Sequence, residues 1–173
     1  MQLLTANGVQ GTPMSAIAKA ADTGMGTIYN YFTTKEDLIN AIYIFIKNEE
    51  FKNTKLLFND ESLKMQFDRH YGAVLHYYIN HPKHFKFIDQ FHNSPLLTEV
   101  TKKEEEKAVS VLTQMILKGQ KHGILKSIDI DEIMHFLNGG LMGFTRWVLS
   151  SDIVVTKTLI DNQLRMAWDV IRL

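Results

Sequence analysis

Thr12-Pro13-Met14-Ser15-Ala16-Ile17-Ala18-Lys19-Ala20-Ala21-Asp22-Thr23-Gly24 followed by Met25-Gly26-Thr27-Ile28-Tyr29-Asn30-Tyr31-Phe32-Thr33-Thr34-Lys35-Glu36-Asp37-Leu38 is the stretch that decides the fold. It reads as two short helices on a tight turn, followed by a long third one, which is the pattern of a helix-turn-helix. Thr12 is expected to cap a helix whose first position is Pro13, where a missing N–H costs nothing. Met14, Ile17, Ala18 and Ala21 fall at helical spacing and form a narrow stripe of small residues suited to a close helix crossing. Asp22-Thr23-Gly24 breaks that helix. The next one puts Met25, Ile28, Tyr29 and Phe32 on one side and Gly26, Thr27, Asn30 and Tyr31 on the other.

A small, polar and phenolic face suits a DNA groove. Gly26 lets the backbone approach a phosphate, Thr27 and Asn30 can pair with base edges, and tyrosine hydroxyls can bond phosphate oxygens. Taken with Ile17-Ala18-Lys19-Ala20-Ala21 and Lys35-Glu36-Asp37-Leu38, the segment resembles the DNA-binding domain of the TetR/AcrR family of bacterial transcriptional regulators. The resemblance implies an all-α fold, with an N-terminal helix-turn-helix domain and a C-terminal helical domain for ligand binding and dimerisation. It also implies a repressor released by a small molecule. Position by position, it implies DNA contacts from Met25, Gly26, Thr27, Tyr29, Asn30, Tyr31 and Lys35, with Thr12 and Ser15 contributing from the preceding helix and Ile28 and Phe32 in the core.

Three departures temper that expectation. Only Met1 to Ala6 precede Asn7-Gly8, so the first helix reads as largely missing, with Leu3 and Leu4 supplying its last apolar contacts. The turn reads Ala21-Asp22-Thr23-Gly24 where the family usually has Ala-Gly-Val-Ser. Met25 stands where a lysine or arginine is common. Residues 1 to 47 set Lys19, Lys35 and Lys47 against Asp22, Glu36 and Asp37, so the reader is formally neutral and weak DNA binding is expected.

The whole chain has 173 residues, 19 basic and 19 acidic, so its net charge is zero, and 45% of it is hydrophobic, enough to fill one small and one medium core. With no cysteine, disulfides, thiolate metal ligands and a cysteine nucleophile are excluded. No apolar stretch reaches the length of a membrane span, and the start lacks the pattern of a signal peptide, so a cytoplasmic location is expected. His76, His81, His84 and His92 are not accompanied by paired carboxylates, and no nucleophile elbow or phosphate-cradling loop is visible. No metal, cofactor or catalytic residue is therefore expected, and the chain does not read as an enzyme.

The expected division is 1–46 for the reader and 47–173 for the effector-binding and dimerisation domain. Helices are predicted over about 35–53, 63–79, a short segment containing Phe85 to Phe91, and about 98–121 with Gly123 as C-cap. An eighth helix starts at Asp129, with Glu132 in capping-box position. Gly139, Gly140 and Gly143 follow, and each weakens a helix by about 1 kcal/mol relative to alanine, which suggests a face that something approaches closely. The last helix carries one apolar stripe of Ile160, Leu164, Ala167, Trp168 and Ile171, and a second of Leu159, Met166, Val170 and Leu173. Two buried faces on a terminal helix point to a symmetric dimer, with Gly140, Phe144, Leu159, Met166, Val170 and Leu173 at the contact. Bulky groups at Phe58, Phe67, His70, Tyr71, Phe91, Met115, Phe144 and Trp147 could line a pocket for a hydrophobic effector, or could be ordinary core. The expected function is a dimeric repressor of a palindromic operator, with double-stranded DNA and a small effector as partners. The alternative is a helical ligand-binding or scaffold protein that has lost DNA binding with its first helix.

Overall fold

The computed structural model describes residues 1–54 and 61–173. Among these the elements are α1 (Gln2–Asn7), α2 (Met14–Ala20), α3 (Met25–Tyr31), α4 (Lys35–Thr54), α5 (Leu63–Asn80), α6 (Pro82–Phe91), α7 (Glu99–Lys121), α8 (Ile130–Ser150) and α9 (Lys157–Ile171). The fold is all-α. Among the described residues, the isolated β pairing is a single antiparallel bridge between Leu125 and Arg172.

Packing separates the chain into two units. The first comprises Met1–Asn48 and Lys83–Glu105, the second Glu49–Pro82 and Glu106–Leu173. In the first unit Met14, Ala18, Ile28 and Leu38 form a small core against which Ile17, Phe32 and Ile42 pack. Leu4 of the six-residue α1 is fully buried. Ala21 was expected on the buried stripe of α2, but it follows the helix as its C-cap and is exposed. Asp22, next in line, has φ 50. Its short polar side chain makes it one of the few non-glycine residues that adopt this left-handed turn conformation readily.

The start of α2 differs from the capping expectation. The N-cap is Pro13 and receives no side-chain cap, while Thr12 turns inward, 1% exposed. Its hydroxyl proton is shared between the carbonyls of Gly8 at 2.7 Å and Leu3 at 3.0 Å, so it ties the end of α1 to the turn that follows. α4 begins with a reciprocal capping box. Thr34 Oγ1 accepts from the Asp37 amide at 3.0 Å, and Asp37 Oδ2 accepts from the Thr34 amide at 2.9 Å.

In the second unit α5 packs against both α8 and α9. Phe67 stacks on Tyr71 at 5.4 Å between ring centroids and meets Trp168 of α9 at the same separation. The Tyr71 hydroxyl donates to the Leu137 carbonyl of α8 at 3.0 Å. Gly119 of α7 is required by close approach, since a Cβ there would sit 2.6 Å from side-chain carbons of Leu125 and Leu63. Gly123 has φ +64, as a residue just past a helix end commonly does. The side chains of Asp129 and Thr156 cap α8 and α9 by accepting from the amides of Asp131 and Leu159.

Candidate nucleic-acid interface and effector region

α3 buries one residue and exposes the rest. Ile28 lies in the core, whereas Met25, Gly26, Thr27, Tyr29, Asn30 and Tyr31 are all exposed, Tyr29 by 48% and Tyr31 by 78%. Met25 and Tyr29, grouped with the inner side by periodicity, therefore face outward. A seven-residue helix anchored by Ile28, with Phe32 half-buried after it, has little inward surface to offer. Gly26 has open space around its α-carbon, so backbone can approach another molecule there. Ser15 of α2 is exposed as well.

Two residues expected at this face are used elsewhere. The Thr12 hydroxyl is occupied inside the unit, as described above. Lys35 is half-buried, and its ammonium donates to the Val9 carbonyl at 2.7 Å, next to the C-terminal end of α1. Lys47 is buried too, so Lys19 is the exposed cation among residues 1–47.

Of the residues expected to line an effector pocket, Phe67 stacks on Tyr71 and the rings of Phe144 and Trp147 lie 5.9 Å apart. Phe58 lies outside the described residues. Phe91 belongs to the first unit, where it packs on Phe87 at 4.6 Å. Phe67, Tyr71 and Met115 are buried in the second unit, Phe144 is half-buried, and Trp147 is exposed. His70 is distinctive: it is 4% exposed, and its Nδ1 is buried without a hydrogen-bond partner. Burial lowers its pKa to about 4, against the opposing pull of the Glu50 carboxylate. The imidazole is thus neutral in the folded chain and takes up a proton near pH 6.5 when unfolded. The pKa is lower in the folded state, so the stability due to His70 is present above pH 6.5 and is lost as pH falls towards 4. Unfolding free energy is expected to drop by roughly 2–3 kcal/mol across that window. His70→Phe should flatten the profile, as read by urea melts at successive pH values.

A cavity of about 570 Å³ opens between α5 and α9, lined by residues that include Arg69, Gly72, His76, Thr156, Lys157 and Leu164. None of the pocket residues expected from sequence line it. It depends on the segment leading into α9 folding against α5, a pairing that leaves no periodic trace in the chain. Among the described residues, no group of three or more histidines and carboxylates could hold a metal ion, and no helix is long and apolar enough to cross a membrane.

Outside these regions, α8 and α9 each carry an apolar stripe that is left exposed among the described residues. On α8, Phe136 and Trp147 are exposed, and Gly139 and Gly143 meet open space. On α9, Met166 (57%) and Val170 are exposed, as is Leu173 just beyond its end. Ile160, Ala167, Trp168 and Ile171 of the first stripe are buried, whereas Leu164 of that stripe and Leu159 of the second are both half-buried, so the two stripes separate only in part. Gly140 is exposed, with its nearest foreign atom the Tyr71 hydroxyl. Phe136 is not among the contact residues expected from sequence, although it stands three and seven residues before Gly139 and Gly143, a helical spacing that puts it on their face.

The family model described as "Bacterial regulatory proteins, tetR family" matches residues 1–42, and that described as "Tetracyclin repressor-like, C-terminal domain" matches residues 45–173. The chain belongs to the TetR family of transcriptional regulators. A solved TetR-family transcription regulator from Marinobacter aquaeolei VT8 superposes with a TM-score of 0.89 at 20% identity, covering 99% of this chain and 90% of that one. A bacterial regulatory protein of the tetR family from Rhodococcus RHA1 does so with a TM-score of 0.84 at 16% identity, covering 99% and 92%. At these identities the likeness is one of fold. An uncharacterized HTH-type transcriptional regulator, YhgD of Bacillus subtilis, is 29% identical over 132 residues, which span 70% of this chain and 65% of that relative's length. In this TetR-family chain the helix-turn-helix is formed by α2 and α3.

Proposed function

We propose that this TetR-family regulator is a cytoplasmic homodimer that binds duplex DNA through α3, reads a palindromic operator and represses transcription until a small hydrophobic effector binds residues 47–173. The observation that carries the DNA reading is the outward set Gly26, Thr27, Tyr29, Asn30 and Tyr31 on a helix held by Ile28. Exposed amide and hydroxyl groups on one short helix can reach base edges and phosphates together. The uncovered stripes of α8 and α9 support a two-fold dimer, which would present two such helices to successive major grooves. His70 supports the effector reading, since a buried ring nitrogen without a hydrogen-bond partner suits a ligand bearing one polar group on an otherwise apolar frame.

Selection of duplexes from a random pool, followed by anisotropy titration, tests this reading. Combined Asn30→Ala and Tyr31→Phe substitutions are expected to weaken binding about tenfold or more, since each lost base or phosphate contact costs roughly 1–3 kcal/mol. With Lys19 as the exposed cation of residues 1–47, the slope of log K against log salt should be shallow, about −2 to −4 per dimer. Nanomolar binding that persists at about 200 mM salt would show a larger phosphate footprint than these residues supply. Failure to select any duplex would favour the alternative reading, a helical ligand-binding or scaffold protein.

A further inference from the structure

Asn40 is one of several polar residues that α4 buries, with Lys47, Glu50 and Thr54. It is 7% exposed, and its side chain uses its full hydrogen-bonding capacity. Its Nδ2 donates to the Leu96 carbonyl at 2.9 Å and to the Glu36 carbonyl of its own helix at 2.8 Å. Its Oδ1 accepts from the Thr98 amide at 2.9 Å and from the Thr101 hydroxyl at 2.6 Å. A backbone amide can only donate, so the Thr98 contact identifies that atom as the carbonyl oxygen.

Thr98 precedes the first residue of α7, and its hydroxyl accepts from the Thr101 amide at 3.3 Å, as an N-cap does. In a complete capping box, the third residue of the helix reaches back to the amide of the N-cap. That third residue is Thr101, whose hydroxyl donates to Asn40 instead. Asn40 therefore completes the cap of α7 from another helix, 58 residues earlier in the chain. One turn further along both helices, the Tyr43 hydroxyl donates to Glu105 at 2.8 Å, and His92 Nδ1 lies 3.2 Å from the same oxygen. Burial pushes the Glu105 carboxyl up, but the His92 hydrogen bond, the Lys47 charge and the Tyr43 donor outweigh it and hold the group low, hence ionised.

Apolar surfaces can slide past one another, whereas these paired donors and acceptors fit in one register only. α4 follows directly on the recognition helix, and α7 continues unbroken beyond Glu105 into residues of the second unit. We infer that Asn40 is a positioning residue: by capping α7 from α4 it makes the turn at 92–98 and the first turns of α7 part of the body that carries α3, so that α7 governs where the reader is presented. This rests on the reading of the protein as a dimeric DNA binder.

The test uses the full chain with Asn40→Ala or Asn40→Asp, and two probes taken from duplexes selected by the unmodified protein, one with both half-sites and one with a single half-site. Asn40→Ala should lose about tenfold on the two-site duplex and less than about twofold on the single site, because only paired reading depends on how the two readers are held. Asn40→Asp keeps the acceptor for Thr98 and Thr101 but sets an oxygen against the Leu96 and Glu36 carbonyls, so it should recover only part of that loss. Hydrogen exchange should quicken at 92–102 and in the first turns of α4, and stay unchanged at 14–31 and 63–80. Equal losses on both duplexes, no loss on either, or faster exchange confined to 98–102 would each overturn the inference. If the unmodified protein selects no duplex, the DNA reading fails, and the exchange pattern alone decides the role of Asn40.

Discussion

Met166→Glu is expected to turn the chain into a monomer, shifting self-association by a factor of about 10² to 10⁴, as sedimentation at a series of concentrations would show. Met166 is 57% exposed in the protomer, and Val170, Leu173, Phe136 and Trp147 are exposed with it. Groups of large apolar side chains of this kind mark contact sites on soluble proteins. Facing its own copy across a two-fold axis, a carboxylate at 166 would be desolvated without a partner, at a cost of several kcal/mol. The monomer should melt as cooperatively as before, because the side chain is largely solvated in the protomer. Affinity for a two-site duplex should fall with the loss of the dimer, and affinity for a single half-site should not. A monomeric unmodified chain at micromolar concentration would remove the basis of the dimer reading.

Local signals made most helices legible. Gly123 and Asp129 end and begin helices through backbone conformation and capping, and both act within three residues of their own positions. The buried side of α9 was largely legible because helical period alone assigns residues to sides, though Leu159 and Leu164, one from each expected stripe, are both half-buried. Periodicity failed where a helix was short or a polar group paired at long range. Thr12 had the composition of a cap but found the carbonyls of Leu3 and Gly8, and Lys35 had the look of a phosphate ligand but found that of Val9. Asn40 and its partners at 96, 98 and 101 share no spacing that a one-dimensional pattern could reveal. The packing of Lys83–Glu105 with the N-terminal helices was likewise unannounced, since it depends on those contacts and on apolar residues such as Phe85, Phe87 and Leu97, which suit any core.

Phe67→Ala is expected to cost about 3–5 kcal/mol of unfolding free energy, as large aromatic truncations in cores do, against a total of about 5–15 for an ordinary domain. Phe67 is 1% exposed and is held between the Tyr71 and Trp168 rings, so removing it opens a void that two helices would have to collapse around. Tyr71→Phe provides the comparison. It removes only the hydroxyl bonded to the Leu137 carbonyl and should cost about 1 kcal/mol. Urea unfolding monitored by tryptophan fluorescence reads both values, since Trp168 adjoins the deleted ring. The same pair of variants separates the two roles open to these aromatics. Residues that line a ligand cavity face empty space on one side, so truncation there costs little stability and mainly weakens ligand binding. Residues that fill a core cost their full packing energy. A loss below about 1 kcal/mol for Phe67→Ala would assign the ring to a cavity wall. The expected larger loss would instead direct the search for the effector towards His70 and the cavity between α5 and α9.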